Sequence, residues 1–418
     1  LVCILLKKLI LNRMKLYIDP GTGSMLFTVL IGVIGALIYA LRNAAVKTRF
    51  WVSGGKRRKS EKDSWPYVIF TDSKRYWNVF EPICDEMEKR RQRLLYLTAS
   101  EDDPAFAKPY QHVKVEFAGK GNRAYARMNM LRADLVLSST PGLDVYQWKR
   151  SREVRHYVHI FHAANDVTLY RMFGIDYYDA ILLSGDYQIK QIRQLEEKRE
   201  LPAKELLKVG IPYMDDMAAR LAAEGPAPEH ERTVLLAPSW GDSALFGVYG
   251  GRIIEKLLQT GYHVIVRPHP QSFKSETALM EKLMAQFPAS DKLEWNADAD
   301  NFDILISDFS GVTFDFSLIY DKPVIYTNPN FDVAPYDAWW IEDPLWTATV
   351  LPRIGAELTE DKMDSLKELI DSCIEDPRYA EGRRTVKEET WANPGTGAKA
   401  VADFLQTKLS SLNQRKEG

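Results

Sequence analysis

The side chains able to do chemistry collect in three short stretches. YVHIFHAAND, Tyr157 to Asp166, holds His159 and His162. HVIVRPHP ends on Arg267 and His269, and ISDFSGVTFDFSLIYDKPVIY, Ile306 to Tyr326, holds Ser307, Asp308, Ser310, Gly311, Thr313 and Asp315. A guanidinium offers a fork of donors to phosphate oxygens, and an imidazole donates a hydrogen bond or a proton. Pro268 and Pro270 stiffen the turn that carries Arg267 and His269, lowering the entropy lost when those side chains are fixed. Ser310 and Gly311 stand where a helix should begin. Unpaired N–H groups and the helix dipole favour an anion there, yet Ser310 serves equally as a plain cap with Asp308 in the turn. The residue types leave both open. On the first reading Gly311 admits a diphosphate closely, Ser310 or Thr313 adds a hydroxyl, and Asp315 accepts from ribose hydroxyls or holds His269. His159 and His162, three apart, would fall on opposite faces of a strand, which argues against a shared metal. His159 reads as structural. His162 lies past the apolar run, and a loop histidine across a cleft from a phosphate site suits a general base.

These residues need elements that bring strand ends together. YVIFTDS, RLLYLTAS, HVKVEFAG, ADLVLSST, YVHIFHAA and DAILLSGD read as strands running into loops, separated by helical stretches such as NVFEPICDEMEKR. LAAEGPAPEHER, Leu221 to Arg232, breaks the pattern, after which TVLLAPSWG, YHVIVRPHP, FDILISD and PVIYTN resume it. Short apolar strands alternating with helices predict parallel α/β sheets. The 418 residues exceed one ordinary core. The expected division is a membrane anchor and basic linker over 1–64 and two α/β domains over 65–220 and 221–418. Ligands of such sheets bind outside the carboxyl ends of the strands.

Composition removes several classes. A net charge of −2 lacks the basic footprint of a nucleic-acid binder. Cys3, Cys84 and Cys373 are few and far apart, unlike a disulfide framework or a zinc site. There is no GxGxxG after the first strand and no GxxxxGK[ST], so a dinucleotide site or P-loop is unsupported. No cofactor and no metal are expected. MLFTVLIGVIGALIYAL, Met25 to Leu41, carries no charge and predicts a single membrane helix. The basic cluster Arg42 to Lys59 that follows it predicts membrane association with the catalytic part in the cytoplasm.

HIFHAAND, LLAPSWGD, VIVRPHPQS and ISDFSGVTFDFSLIYDKPVIY, in this order, resemble the CDP-glycerol glycerophosphotransferase family of teichoic-acid synthesis. The resemblance runs over roughly residues 65–405. It implies a GT-B-like fold, two Rossmann-type domains facing across a cleft, with 65–220 as the Rossmann-like acceptor-side domain and 221–418 as the Rossmann-like nucleotide-donor domain. It also implies transfer of glycerol phosphate from CDP-glycerol to a hydroxyl of a lipid-linked, polyprenyl-type acceptor, with release of CMP. By similarity His162 is the base, and His269, Ser307, Asp308, Ser310 and Gly311 hold the donor. Asp315 falls in the same donor motif, and Ser239 of LLAPSWGD is placed with the donor residues. One residue departs from the family pattern: Ala163 follows His162 where the family usually has glycine. A ribitol-phosphate transferase or nucleotide-sugar glycosyltransferase of the same fold is the alternative enzyme, and a silent scaffold the alternative class.

Overall fold

Most strands that were visible as apolar runs are buried on both faces, as parallel sheets require, the exception being the edge strand VKVEF, where only Val113 is buried. The computed structural model describes residues 64–225, 229–296, 301–308, 310–327 and 333–417. The chain divides into Leu1–Asp63 and Ser64–Gly418, and the described residues lie in the second unit. Among them, the first sheet comprises β1 (Trp65–Thr71), β2 (Leu94–Thr98), β3 (Val113–Phe117), β4 (Ala133–Ser138), β5 (Val154–Ile160), β6 (Ala180–Leu183) and β7 (Glu205–Lys208). The second comprises β8 (Thr233–Leu236), β9 (His263–Val266), β10 (Leu293–Trp295), β11 (Ile304–Ser307), β12 (Val324–Tyr326) and β13 (Gly355–Glu357).

The strand orders are β3-β2-β1-β4-β5-β6-β7 and β10-β9-β8-β11-β12-β13, with every pairing parallel. Each sheet therefore reverses direction once, between β1 and β4 and between β8 and β11. The crevice at such a reversal is where these folds bind ligands. Two parallel sheets in tandem are consistent with the GT-B-like architecture.

The helices pack where their apolar spacing directs them. α1 (Trp77–Lys89) buries Val79, Phe80, Ile83, Cys84 and Met87. α2 (Asn122–Met128) and α3 (Tyr187–Lys198) follow, and α4 (Pro212–Glu224) starts with proline at its first turn, where the missing N–H is harmless. In the second half α5 is Arg252–Gln259, with Ile253, Ile254 and Leu257 buried. α6 is Val312–Ile319, α7 is Trp346–Ile354 and α8 is Gly397–Glu417. One cluster of buried apolar side chains runs from Ile69, Phe80 and Tyr96 through Tyr213 and Met214 to Phe314, Phe316 and Trp346. The two sheets thus share a core at the base of the cleft. α8 returns from the second sheet to pack on α1, α4 and β4, fixed by Arg90 to Asp403 at 2.6 Å and Arg155 to Asn413 at 2.8 Å.

A polar strap also joins the halves. Arg199, 4% exposed, pairs with Asp176 at 2.7 Å in its own half and with Asp337 at 2.5 Å in the other. Asp337 accepts the Phe173 N–H at 2.8 Å, and Arg171 bridges Tyr336 antiparallel. Burial pushes the Asp337 carboxyl up to about 6 against the pull of Arg199. Removing one partner would leave a buried charge uncompensated, so the strap resists separation of the halves at this point.

The expected membrane helix is not found. Among the described residues no helix is long and apolar enough to cross a membrane, and Met25–Leu41 lie outside the described residues. The longest described helix, α8, has 21 residues but places Lys399, Asp403 and Lys408 among its apolar positions, which makes it a packing helix. The expectations of membrane association and of a single-span, cytoplasm-facing location therefore have no support among the described residues.

Candidate active site

The wall formed by the second sheet begins at its reversal point, where β8 and β11 run side by side. Ser307, fully buried, donates its hydroxyl to the Ala237 carbonyl at 2.6 Å. Asp308, also fully buried, accepts the Ser239 N–H at 2.9 and 3.1 Å on its two oxygens and the Leu245 N–H at 3.1 Å. Burial raises the Asp308 carboxyl above its ordinary value, while these backbone donors and those of Ser310 and the Ser239 hydroxyl pull it down. Ser307, Asp308 and Ser239 therefore knit the loop after β8 to the end of β11. Their polar atoms shape the wall and are largely spent on it.

Beyond them the chain opens. Ser310 Oγ accepts the Val312 N–H at a long 3.4 Å, and Ser310 O accepts the Thr313 N–H at 3.1 Å. The cap position itself is Gly311, which makes no side-chain cap hydrogen bond, so Ser310 contributes only this long turn contact. Gly311 is exposed, sits at an ordinary φ of −58° and has nothing within 4 Å of where a Cβ would stand. Its smallness, not its backbone freedom, leaves the start of α6 uncovered, an arrangement that can accept an anion. Thr313 is buried, and its hydroxyl has no protein hydrogen-bond partner. Asp315 faces away from this opening. It accepts the Tyr213 hydroxyl of α4, and burial pushes its carboxyl up to about 6. The structure does not bring it to His269.

His269 follows β9. Its Nδ1 accepts the Gln271 N–H at 3.0 Å, and its carbonyl accepts the Ser272 N–H at 2.9 Å. With Nδ1 as acceptor, the neutral ring carries its proton on Nε2, a donor for an oxyanion. Burial, then the Arg75 charge, lowers its pKa, while Asp308 and Glu276 pull it up. Arg267 is half-buried two residues earlier, its N–H continuing the ladder to Leu236 O at 2.8 Å.

The first sheet supplies the opposite wall. β5 carries His159 into the interior, where Tyr178, Phe161 and Tyr170 surround it at ring separations of 4.9, 5.0 and 5.6 Å. Neither of its nitrogens has a protein partner, and burial pushes its pKa down to about 3. This is the structural histidine that the strand pattern implied. His162 leaves the strand and packs on Tyr76, ring centroids 4.9 Å apart. Its Nδ1 is buried without a partner, and burial followed by the Arg75 charge pushes its pKa down to about 4. Ala163 has no positive φ, so the alanine that replaces the usual glycine sits in ordinary backbone. The following loop is held by Asp166, which accepts from the Thr168 N–H at 2.9 Å, the Thr168 hydroxyl at 2.6 Å and Gln191 at 2.8 Å. A cavity of about 330 Å³ between Tyr187 and Trp346, beside this loop, contains none of the residues expected from the sequence.

Sequence reasoning missed Arg75 and Tyr76. They occupy TDSKRYWN, the loop after β1, and so stand at the reversal point of the first sheet. The available signal was positional: a basic residue at the carboxyl end of the first strand of an α/β half. Among the described residues no group of three or more His, Cys, Asp or Glu is placed to hold a metal ion.

Residues 58–393 match the family described as CDP-Glycerol:Poly(glycerophosphate) glycerophosphotransferase. Among solved structures, the wall teichoic acid polymerase TagF soaked with CDPG superposes with a TM-score of 0.54 at 14% identity, covering 90% of this chain and 98% of that one. The UDP-GlcNAc 2-epimerase of Methanocaldococcus jannaschii, in complex with UDP-GlcNAc and UDP, gives 0.51 at 12% identity over 82% and 99% of the two chains. Os79 of O. sativa, in complex with UDP, gives 0.51 at 11% identity over 82% and 100%. At these identities the structures speak for the fold alone. No curated protein matches the chain. The family match spans well over half of the sequence and includes both walls of the cleft: the chain belongs to the CDP-glycerol:poly(glycerophosphate) glycerophosphotransferase family, and it is a transferase that moves glycerol phosphate from CDP-glycerol to a cell-wall-type acceptor.

Proposed function

We propose that the two walls divide this transfer, His162 activating the acceptor and the loops around His269 holding the donor. An acceptor hydroxyl attacks the phosphorus of the glycerol phosphate unit. The new O–P bond forms as the bond to the bridging oxygen of CMP breaks, and the hydroxyl proton passes to His162. Nδ1 of His162 is buried, which leaves Nε2 as the nitrogen to receive it. The Nε2–H of His269 donates to a phosphate oxygen of the donor, and Arg267 adds its positive charge. The uncovered start of α6 at Gly311, with Ser310 and Thr313, receives the remaining phosphate oxygens. Ser239, Ser307 and Asp308 act one step back, by fixing the loops.

The observation that carries this reading is the tautomer of His269. The Gln271 N–H on Nδ1 makes Nε2 a donor, the form an oxyanion needs, while His162 on the facing wall is held neutral and ready to accept a proton. General-base catalysis contributes on the order of 10²–10⁴-fold, and the remainder falls to positioning and charge stabilisation. The test is CMP release from CDP-glycerol, set against CDP-ribitol and nucleotide sugars, with a teichoic-acid-type acceptor. CDP-glycerol should be the preferred donor. Nucleotide release from sugar donors alone would overturn the reading.

A further inference from the structure

We infer that Arg75, on the first-sheet wall, is a donor-recognition residue that reaches the anionic part of CDP-glycerol across the cleft from the loops of the second sheet. The inference rests on the assignment of those loops to the donor. Three observations carry it. The loop after β1 is anchored: Thr71 donates its hydroxyl to the Ser73 carbonyl at 2.8 Å, and Ser73 Oγ accepts from the Arg75 N–H at 3.4 Å and from Arg75 Nε at 3.3 Å. The guanidinium stem is therefore fixed at the reversal point of the sheet, one residue before the Tyr76 ring that packs on His162.

Arg75 is also exposed, and among the described residues it forms no ion pair within 4 Å, whereas Arg90, Arg199 and Arg353 each close on a carboxylate. The Arg75 charge bears on the Asp72 carboxyl of the same loop without closing an ion pair on it, which leaves the guanidinium donors for a ligand. Finally, the same guanidinium bears on histidines of both walls, lowering His162 and His269 alike. The next residue, Tyr76, packs on His162 at 4.9 Å, so Arg75 stands on the first-sheet wall beside the proposed base. An anion bound between His269 and Gly311 lies within its field.

One consequence concerns timing. With the cleft empty, Arg75 disfavours a proton on His162. A bound diphosphate offsets that charge, so His162 becomes a better base when the donor is in place. The groups bearing on His162 are Arg75 and Tyr76 from the loop after β1 and His159 from β5.

The experiment compares binding of CDP-glycerol and of cytidine to wild type, Arg75→Ala and Arg75→Lys by calorimetry. A lost charge-assisted contact weakens a ligand by about 10- to 100-fold. CDP-glycerol should weaken by that factor in Arg75→Ala and recover in part in Arg75→Lys, while cytidine, which carries no phosphate, binds all three alike. The acid limb of the kcat/KM profile, which reports the free enzyme, should move to higher pH in Arg75→Ala. Unchanged CDP-glycerol affinity in Arg75→Ala overturns the inference. Equal weakening of cytidine also overturns it, because a phosphate contact cannot act on a ligand without phosphate. A wild-type protein that ignores CDP-glycerol contradicts the donor assignment itself, and this inference with it.

Discussion

The two walls of the cleft are built on opposite principles. On the second-sheet wall the groups at the strand ends are spent on the protein, Asp308 on three backbone N–H groups, Ser307 on Ala237 and His269 Nδ1 on Gln271, with the Thr313 and Ser272 hydroxyls as the buried exceptions. On the first-sheet wall His162 Nδ1, both nitrogens of His159 and Ser139 Oγ are buried with no protein partner. A satisfied network is rigid and fixes one geometry, while unpaired buried polar atoms are costly and tolerated chiefly at working sites. The difference teaches which wall is a mould and which is a tool. On the proposed division of labour, the mould suits a donor of constant shape, and the tool suits proton transfer to and from a changing acceptor.

The largest effect expected from breaking this contrast is catalytic. His162→Ala should lower kcat by about 10²–10⁴-fold, read as CMP release, with CDP-glycerol affinity changed less than about twofold. Next comes the mould. Asp308→Ala orphans several buried N–H groups and should destabilise the protein by about 3 kcal/mol, measured by denaturant unfolding. Ser139→Ala, on the other wall, removes a hydroxyl without a partner and should stay within about 0.5 kcal/mol. A smaller effect falls on donor affinity: His269→Ala removes one charge-assisted donor and should raise the KM for CDP-glycerol about tenfold.

The contrast also shows in stability against pH. His162 and His159 are held at about 4 and about 3, below the ordinary 6.5. The unfolded chain therefore binds protons that the native one refuses. Stability is complete above pH 6.5 and is lost as pH falls through that range, by about 1.4 kcal/mol per pH unit for each histidine. Asp315, held at about 6 against an ordinary 3.8, has the opposite sign: its native form takes up a proton first, so its contribution improves as pH falls from 6 to 3.8. Thermal melts should show a shallower acid loss for His159→Phe and a steeper one for Asp315→Asn.

How much of this was legible in the sequence follows from burial. Every strand covered on both faces announced itself as an apolar run, from YVIF of β1 to DILIS of β11. The strands not foreseen, β7, β10 and β13, are all at sheet edges. β7 is mostly exposed, and β10 and β13 have three residues each, so none gives an apolar run. The candidate site residues could be picked out by type, but their partners in the fold could not. Asp308 and Asp315 both read as ligand contacts, yet their partners lie 69 and 102 positions away at Ser239 and Tyr213, a separation no local pattern encodes. Arg75 lacked any motif, and only the strand order gives its position meaning. The amphipathic face of α8 was equally clear, but amphipathicity does not say which half it will cover.

The division of labour between the walls is tested most directly by titrating CDP-glycerol into His162→Ala and His269→Ala under one set of conditions. The account predicts that His162→Ala binds the donor as wild type does while turning over almost none of it, and that His269→Ala binds it about tenfold more weakly. Donor affinity lost equally in both variants would contradict it.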